Sequence, residues 1–395
     1  DVYKRQVCVT GLVVLDTGSY WSSFGQLVII TLIQIGGLGV ITVAVAFSLL
    51  SGKKVSLMQR SFMQESVSAP VVGGVVRLTG FILKGTFIIE LSGALLMMPV
   101  FCRDYGLKGI WFAIFHSISA FCNAGFDVLG TADNQFASMT TYACNPVINI
   151  TLMLLIVIGG IGFVTWEDIK NNKYHFKRYK MQSKLIIVTT AVLITVPAII
   201  FMINDMMTGS EKMPVFKALF QSVTLRTAGF NTVDLNAMKQ ASVMIMIVLM
   251  LIGGSPGSTA GGMKTTTFAV LLLSAITVFS RRNDVQCFKR RISDETVRSA
   301  GAVLFMYLVL FFTSGVIISR VENLPLLTCL FETSSAIGTV GLSLGITSGL
   351  SAVSRVILMI LMFFGRVGGL TLIYAALPSA DSQNSRLPLE KISVG

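Results

Sequence analysis

Four short stretches, Val9-Thr10-Gly11, Asn123-Ala124-Gly125, Thr227-Ala228-Gly229 and Thr339-Val340-Gly341, recur 114, 104 and 112 residues apart in a chain otherwise built of apolar spans. Each places a small or polar residue two positions before a glycine, and Leu12, Phe126, Phe230 or Leu342 follows directly. One motif repeated at near-even spacing marks a repeat architecture. Four copies in a single polypeptide imply a fourfold arrangement, in which each glycine strand turns backbone carbonyls toward a common axis.

The recurrence extends beyond the triplets. Each is followed downstream by a pattern with glycine at its second place and threonine at its eighth: IGGLGVIT from Ile35, IGGIGFVT from Ile158, IGGSPGST from Ile252 and FGRVGGLT from Phe364. Three triplets are preceded by a short amphipathic run, FHSISAFC from Phe115, FQSVTLR from Phe220 and FETSSAIG from Phe331. One unit therefore reads as helix, short re-entrant helix, glycine strand, helix.

Composition sets the solvent. Hydrophobic residues make up 53% of the chain and charged ones 13%, with a mean hydropathy of +0.76, far from a soluble domain. The expected spans are 27–50, 78–100, 148–166, 185–203, 242–276, 301–318 and 353–377, most near the roughly 20 apolar residues a bilayer requires of a helix. Cations concentrate after the first, third and fifth spans: Lys53, Lys54, Arg60 and Arg77; Lys170, Lys173, Lys177, Arg178, Lys180 and Lys184; Arg281, Arg282, Lys289, Arg290, Arg291 and Arg298. The positive-inside rule makes those loops cytoplasmic and puts the four triplets toward the outer face. The formal net charge of +12 is thus a matter of topology, with membrane lipids as surroundings and no nucleic-acid partner.

Seven spans are odd for four units, and the helix before Val9-Thr10-Gly11 is the one unaccounted for. The fold class is an all-α integral membrane protein with four helix, pore-loop, helix repeats around one pseudo-fourfold pore, the first outer helix and first pore helix missing. Residues 1–6, DVYKRQ, read as foreign to the repeat, a scar on a truncated gene. The units run 7–52, 53–167, 168–280 and 281–377, and a tail spans 378–395.

These motifs resemble the Trk/Ktr/HKT superfamily of potassium transporters, most closely its KtrB-type membrane subunits. The resemblance covers essentially residues 7–395. It is carried by CVTGL from Cys8, FCNAGF from Phe121, LRTAGFNT from Leu225, GTVGL from Gly338, GGSPGSTAGGMKTT from Gly253, the GRVGG of the last span and LPLEKISVG from Leu387. It implies a selectivity filter set by Gly11, Gly125, Gly229 and Gly341, with the carbonyls of Val9, Thr10, Asn123, Ala124, Thr227, Ala228, Thr339 and Val340 beside them. Such a filter replaces the hydration shell of a potassium ion with backbone carbonyls. One glycine per loop, where other potassium channels have two, leaves fewer defined ion sites.

The stretch Gly253–Thr266 breaks the fifth span, and irregular backbone at membrane depth must be buried in protein or line water. The other three units are expected to keep the helix at the matching place. A phosphate-binding loop is excluded, because Met263 separates Gly262 from Lys264 and no βαβ context exists. By resemblance, Gly253, Gly254, Ser255, Pro256, Gly257, Gly261 and Gly262 form an intramembrane gate below the filter. Arg366 would stand in the cation path as an electrostatic barrier, with Lys264 sharing that role. A structural alternative has Arg366 bonding the free carbonyls of the break. An ionisable group at this depth is a functional candidate by default. Glu90 is expected to satisfy a hydrogen bond within the bundle, Lys84 to reach the headgroups, and His116, Gln221 and Glu332 to buttress the filter.

No catalytic constellation emerges, six scattered cysteines contain no CxxC, and the chain is expected to hold no cofactor of its own. The resemblance implies potassium uptake across the bacterial plasma membrane by a homodimer with a cytoplasmic C-terminus. A KtrA-like cytoplasmic ring carrying ATP or ADP would control the gate, and sodium would activate. A proton-coupled TrkH-like symporter and a non-transporting membrane scaffold are the alternatives.

Overall fold

The computed structural model describes residues 10–39, 42, 75–132, 135–206 and 215–368. Val9, the DVYKRQ start, the loop bearing Lys53, Lys54 and Arg60, and everything from 369 to the LPLEKISVG tail lie outside the described residues. In chain order the helices are α1 (Thr17–Tyr20), α2 (Ser23–Leu38), α3 (Val75–Tyr105), α4 (Lys108–Phe121), α5 (Pro146–Gly160), α6 (Phe163–Asn172), α7 (Met181–Met206), α8 (Val215–Thr224), α9 (Gln240–Leu251), α10 (Thr265–Phe279), α11 (Asp294–Glu322), α12 (Leu326–Ile337) and α13 (Ala352–Val367). A two-residue antiparallel ribbon, β1 (Gln286–Cys287) with β2 (Arg290–Arg291), links α10 to α11.

Among the described residues, α3, α7 and α11 are long and apolar enough to cross a membrane alone, and the bent pair α5–α6 makes a fourth. At about 1.5 Å per residue they run roughly 40–46 Å, longer than the hydrocarbon core. Their outward faces carry Phe87, Ile88, Leu95, Leu96, Ile199, Phe305 and Phe312 exposed, an apolar coat that suits lipid and not water. Start signals are ordinary: the Ser293 hydroxyl accepts from Thr296 N ahead of an acidic first turn in α11, and Asn145 caps α5 before Pro146 at its first position.

The short helices occupy the centre. Each long helix packs on the short one that follows it, α3 on α4, α7 on α8 and α11 on α12, and each short helix also touches the inner helix of the preceding unit, α2 on α4, α5 on α8 and α9 on α12. α12 is sheathed so fully that every residue from Cys329 to Ile337 is buried. The contacts therefore pass from unit to unit in chain order. Away from these contacts, Phe176 meets Phe288 at 6.5 Å, which brings the basic loops after α6 and α10 together at one end.

The expectation that only the third unit breaks its inner helix is wrong. α5 and α6 meet at 98°, and α2 and α13 stop at the matching places, at Gly39 and Gly368. The cause lies in the shared pattern, whose fifth residue in those three units is a glycine with φ of 87° (Gly39), 90° (Gly162) and 91° (Gly368) and ψ between 128° and 141°. Only glycine takes that conformation readily.

Gly162→Ala forces a side chain into this backbone and against the Pro256 carbonyl, 2.6 Å from the position its Cβ would take. We expect a loss of about 1–3 kcal/mol, read as a lower unfolding midpoint in detergent. Gly80→Ala, in a helix position with open space, is expected to leave the midpoint unchanged or raise it.

Candidate functional site

The four triplet glycines meet. A Cβ built on Gly11 would lie 2.5 Å from the Ala124 carbonyl oxygen, and one on Gly125 would lie 2.5 Å from that of Ala228. One on Gly229 would strike the Val340 oxygen, and one on Gly341 would strike that of Thr10, closing the circle. Each loop thus packs its glycine against the carbonyl of the next, in chain order. All four glycines have positive φ, from 68° to 99°.

The first residue of each described triplet is also left-handed, with Asn123 at 53°, Thr227 at 67° and Thr339 at 52°. For the β-branched threonines this is an outlier costing on the order of 1–3 kcal/mol each. The surroundings impose it. Ala124 N donates to Ser119 O (2.8 Å), Ala228 N to Thr224 O (3.0 Å) and Val340 N to Ser335 O (2.8 Å), so each strand turns its amides back onto the end of its short helix. The carbonyls of Ala124, Ala228 and Val340, all within fully buried residues, accept no hydrogen bond among the described residues. Buried carbonyls are seldom left so. The Thr227 and Thr339 hydroxyls are likewise buried without a partner there.

Hydroxyls on the short helices hold the far ends of the strands: Ser119 donates to Phe126 O (2.7 Å), Thr224 donates to Phe230 O (2.6 Å), and Ser335 accepts from Gly341 N (3.1 Å). Counted from the leading phenylalanine these three are equivalent, and the third unit reaches its glycine one residue sooner than the others. The residues expected as buttresses differ from one another. His116 Nδ1 donates to Phe112 O (2.7 Å) and Gln221 Nε2 to Met246 Sδ (3.2 Å). Glu332 collects the Ser343 hydroxyl, Leu344 N (3.2 Å) and the Thr347 hydroxyl (2.8 Å), which clamps the segment beyond Gly341.

On one side of the ring is a cavity of about 170 Å³, lined by all four glycines. The residue two places beyond each glycine also lines it: Val13, Asp127, Asn231 and Ser343. Sequence reasoning missed this second ring, although aligning the units on their glycines reveals it. Three of its members serve as local caps, Asp127 accepting from Leu129 N, Asn231 from Val233 N and Ser343 from Gly345 N.

On the other side, the stretch between α9 and α10 crosses beneath the ring. It folds on itself through a parallel bridge between Ile252 and Met263, with Gly253 N donating to Met263 O (2.7 Å) and Gly254 N to Gly261 O (3.2 Å). Further backbone groups of the loop pair with neighbouring units. Ser255 N and Thr259 N donate to Gly160 O (3.0 Å) and Gly159 O (3.3 Å), Phe163 N donates to Gly257 O (2.8 Å), and Gly262 N donates to Gly365 O (3.0 Å). Thr259 Oγ1 donates to Phe121 O (3.0 Å), and Gly261 abuts the Thr339 side chain. Pro256 sits at the α5–α6 elbow, its carbonyl against Gly162.

Arg366, in the last turn of α13, donates to Thr259 O in this loop and to Gly36 O and Gly37 O (3.2 Å) at the end of α2. Through it the loop is fastened to the first unit as well. Lys264 donates to Ala260 O (2.9 Å) inside the loop. Glu90 accepts from Gln34 Nε2 with both oxygens.

Apolar helices of bilayer length around loops that meet on one axis define an integral membrane protein. The TrkH family of cation transport proteins matches residues 3–385, and the chain belongs to that family. It is 37% identical over 402 residues to the potassium/sodium uptake protein NtpJ of Enterococcus hirae, covering 98% of this chain and 87% of that one. With the Ktr system potassium uptake protein B of Bacillus subtilis it shares 35% over 396 residues, with the same coverage. The crystal structure of the potassium transporter TrkH from Vibrio parahaemolyticus shares the fold, at a TM-score of 0.73 and 19% identity over 95% of this chain and 78% of that one. Family and relatives are transporters, and the chain is not an enzyme.

Glu332→Ala strips the acceptor from two hydroxyls and an amide, each worth about 1–3 kcal/mol when buried and unpaired. We expect a clear fall in the unfolding midpoint in detergent, and a smaller fall for Glu332→Gln, which keeps one acceptor oxygen.

Proposed function

We propose that the chain is a KtrB-type potassium uptake subunit of the bacterial plasma membrane, built as four helix, pore-loop, helix units with the glycine ring as its selectivity filter. The reading rests on one observation above all: buried carbonyls of Ala124, Ala228 and Val340 gathered at the ring without hydrogen-bond partners among the described residues. A dehydrated cation supplies what such oxygens lack. The uptake named for the relatives supplies the ion. Short helices α4, α8 and α12 end at the ring, and their partly negative C-termini favour a cation there. Inward flow would draw on the membrane potential, about 2.3 kcal/mol per charge per 100 mV.

In this reading the cavity lined by Asp127 and Asn231 is the outer mouth, and the crossing loop with Arg366 and Lys264 is the gate. Opening requires the loop to exchange its bonds to Gly159, Gly160 and Gly365 and to release Arg366 from Thr259. The basic loops and the C-terminal tail face the cytoplasm. Relatives named as components of a Ktr system favour a further component, taken here as a KtrA-like ring that binds ATP or ADP and moves the gate. Homodimerisation and sodium activation complete the proposal.

The test is rubidium uptake by potassium-uptake-deficient bacteria expressing the full protein. Gly229→Ser places a Cβ against the Val340 carbonyl and is expected to abolish uptake at normal membrane abundance. Retained uptake would overturn the filter assignment. Arg366→Ala is expected to raise uptake, and unchanged or collapsed uptake at normal abundance would remove Arg366 from the gate.

A further inference from the structure

Glu90 lies in the middle of α3, buried, and its two carboxylate oxygens take the Nε2 of Gln34 at 3.0 and 3.2 Å. Gln34 belongs to α2, one turn before its end, and its Oε1 accepts the Cys122 thiol at 3.7 Å. Cys122 caps α4 and immediately precedes Asn123 of the ring. The same end of α2 offers the Gly36 and Gly37 carbonyls that Arg366 grips. A Cβ on Gly37 would stand 2.6 Å from the Cys122 sulfur, so α2 has no slack on that side. The last turn of α2 is therefore held from two directions, outward by the Gln34–Glu90 bond and inward by Arg366.

We propose that Gln34 and Glu90 form a latch that positions the end of α2 as the fixed anchor for Arg366, and so sets how firmly the crossing loop stays closed. The inference rests on the gate reading above. It concerns residues that touch neither ion nor loop, so both are positioning residues acting through Arg366. A buried amide facing a buried carboxyl group has no water to turn to, so losing either partner leaves the other unpaired. With the bond in place the Gly36 and Gly37 carbonyls stay where the guanidinium reaches them. Without it the last turn of α2, which already ends at a glycine, is free to shift and the arginine loses two of its acceptors.

The test is rubidium uptake per molecule in the membrane for the full protein. Gln34→Met and Glu90→Met each remove the bond with little change of shape and are expected to raise uptake by roughly tenfold, the scale of one buried polar group left unpaired. Glu90→Gln keeps an acceptor for Gln34 and is expected to stay near the parent. In an Arg366→Ala background the Met substitutions are expected to add nothing, because the group they act through is gone. Should Arg366→Ala raise uptake while the Met variants leave it unchanged, or raise it equally in both backgrounds, the latch is wrong and the gate stands. Should Arg366→Ala fail to raise uptake, gate and latch fall together. A fall in abundance with unchanged uptake per molecule would make the Gln34–Glu90 bond a packing contact and overturn the proposal.

Discussion

Each ring glycine is pressed so closely against a carbonyl of the next loop that no side chain could stand between them, and the rest of the molecule is arranged around that closeness. Four strands approach one line only if each is bare on its inner side and bent into left-handed backbone. The bend has an energetic cost, carried in part by Thr227 and Thr339. The short helices cover it by taking the strand amides at their ends and fixing the strands with Ser119, Thr224 and Ser335. Helices with that duty must lie in the interior and end at the axis. They are therefore short, and α3, α7 and α11 carry the contact with lipid.

Below the ring the same economy of side chains recurs for a different purpose. A backbone stretch crossing the centre of a membrane protein must find partners for its amides and carbonyls. The crossing loop finds them because the neighbouring inner helices stop or bend at its level, exposing the carbonyls of Gly159, Gly160 and Gly365. Helix termini leave such carbonyls free by construction. The bend at Gly162 and the break at Gly253–Thr266 are thus one feature: each supplies what the other lacks, as Ser255 N meets Gly160 O and Phe163 N meets Gly257 O.

The parts legible in the sequence were those repeated in it. Four glycine triplets and four Gly/Thr patterns stand out by their spacing, and the structure sets each triplet glycine against a carbonyl of another triplet. The bend at Gly162 was hidden because IGGIGFVT is apolar throughout and reads as an unbroken span. Its glycine matters through φ, and hydropathy carries no record of φ. The first and last inner helices failed for the same reason, with α2 ending at Leu38 and α13 at Val367. Arg366 announced itself by its charge, and its acceptors did not, since they are carbonyls of Thr259, Gly36 and Gly37, and a carbonyl has no letter in the sequence. Gln34 and Glu90 stand 56 positions apart on different units, so only the fold makes them neighbours.

At the ring the units share one backbone conformation, and below it they do not. That division follows from what each level must do. Under the proposed filter, coordination by oxygens from four sides would ask every unit for the same backbone, and a side chain in any one of them would spoil the circle. The proposed gate would ask the opposite, because four identical groups pulled to an axis have no preferred side on which to let go. Here one unit contributes the loop, a second the elbow carbonyls, a third the arginine and the first the carbonyls that arginine holds. The side chains that meet the crossing loop there, Arg366 and Lys264, are each peculiar to one unit.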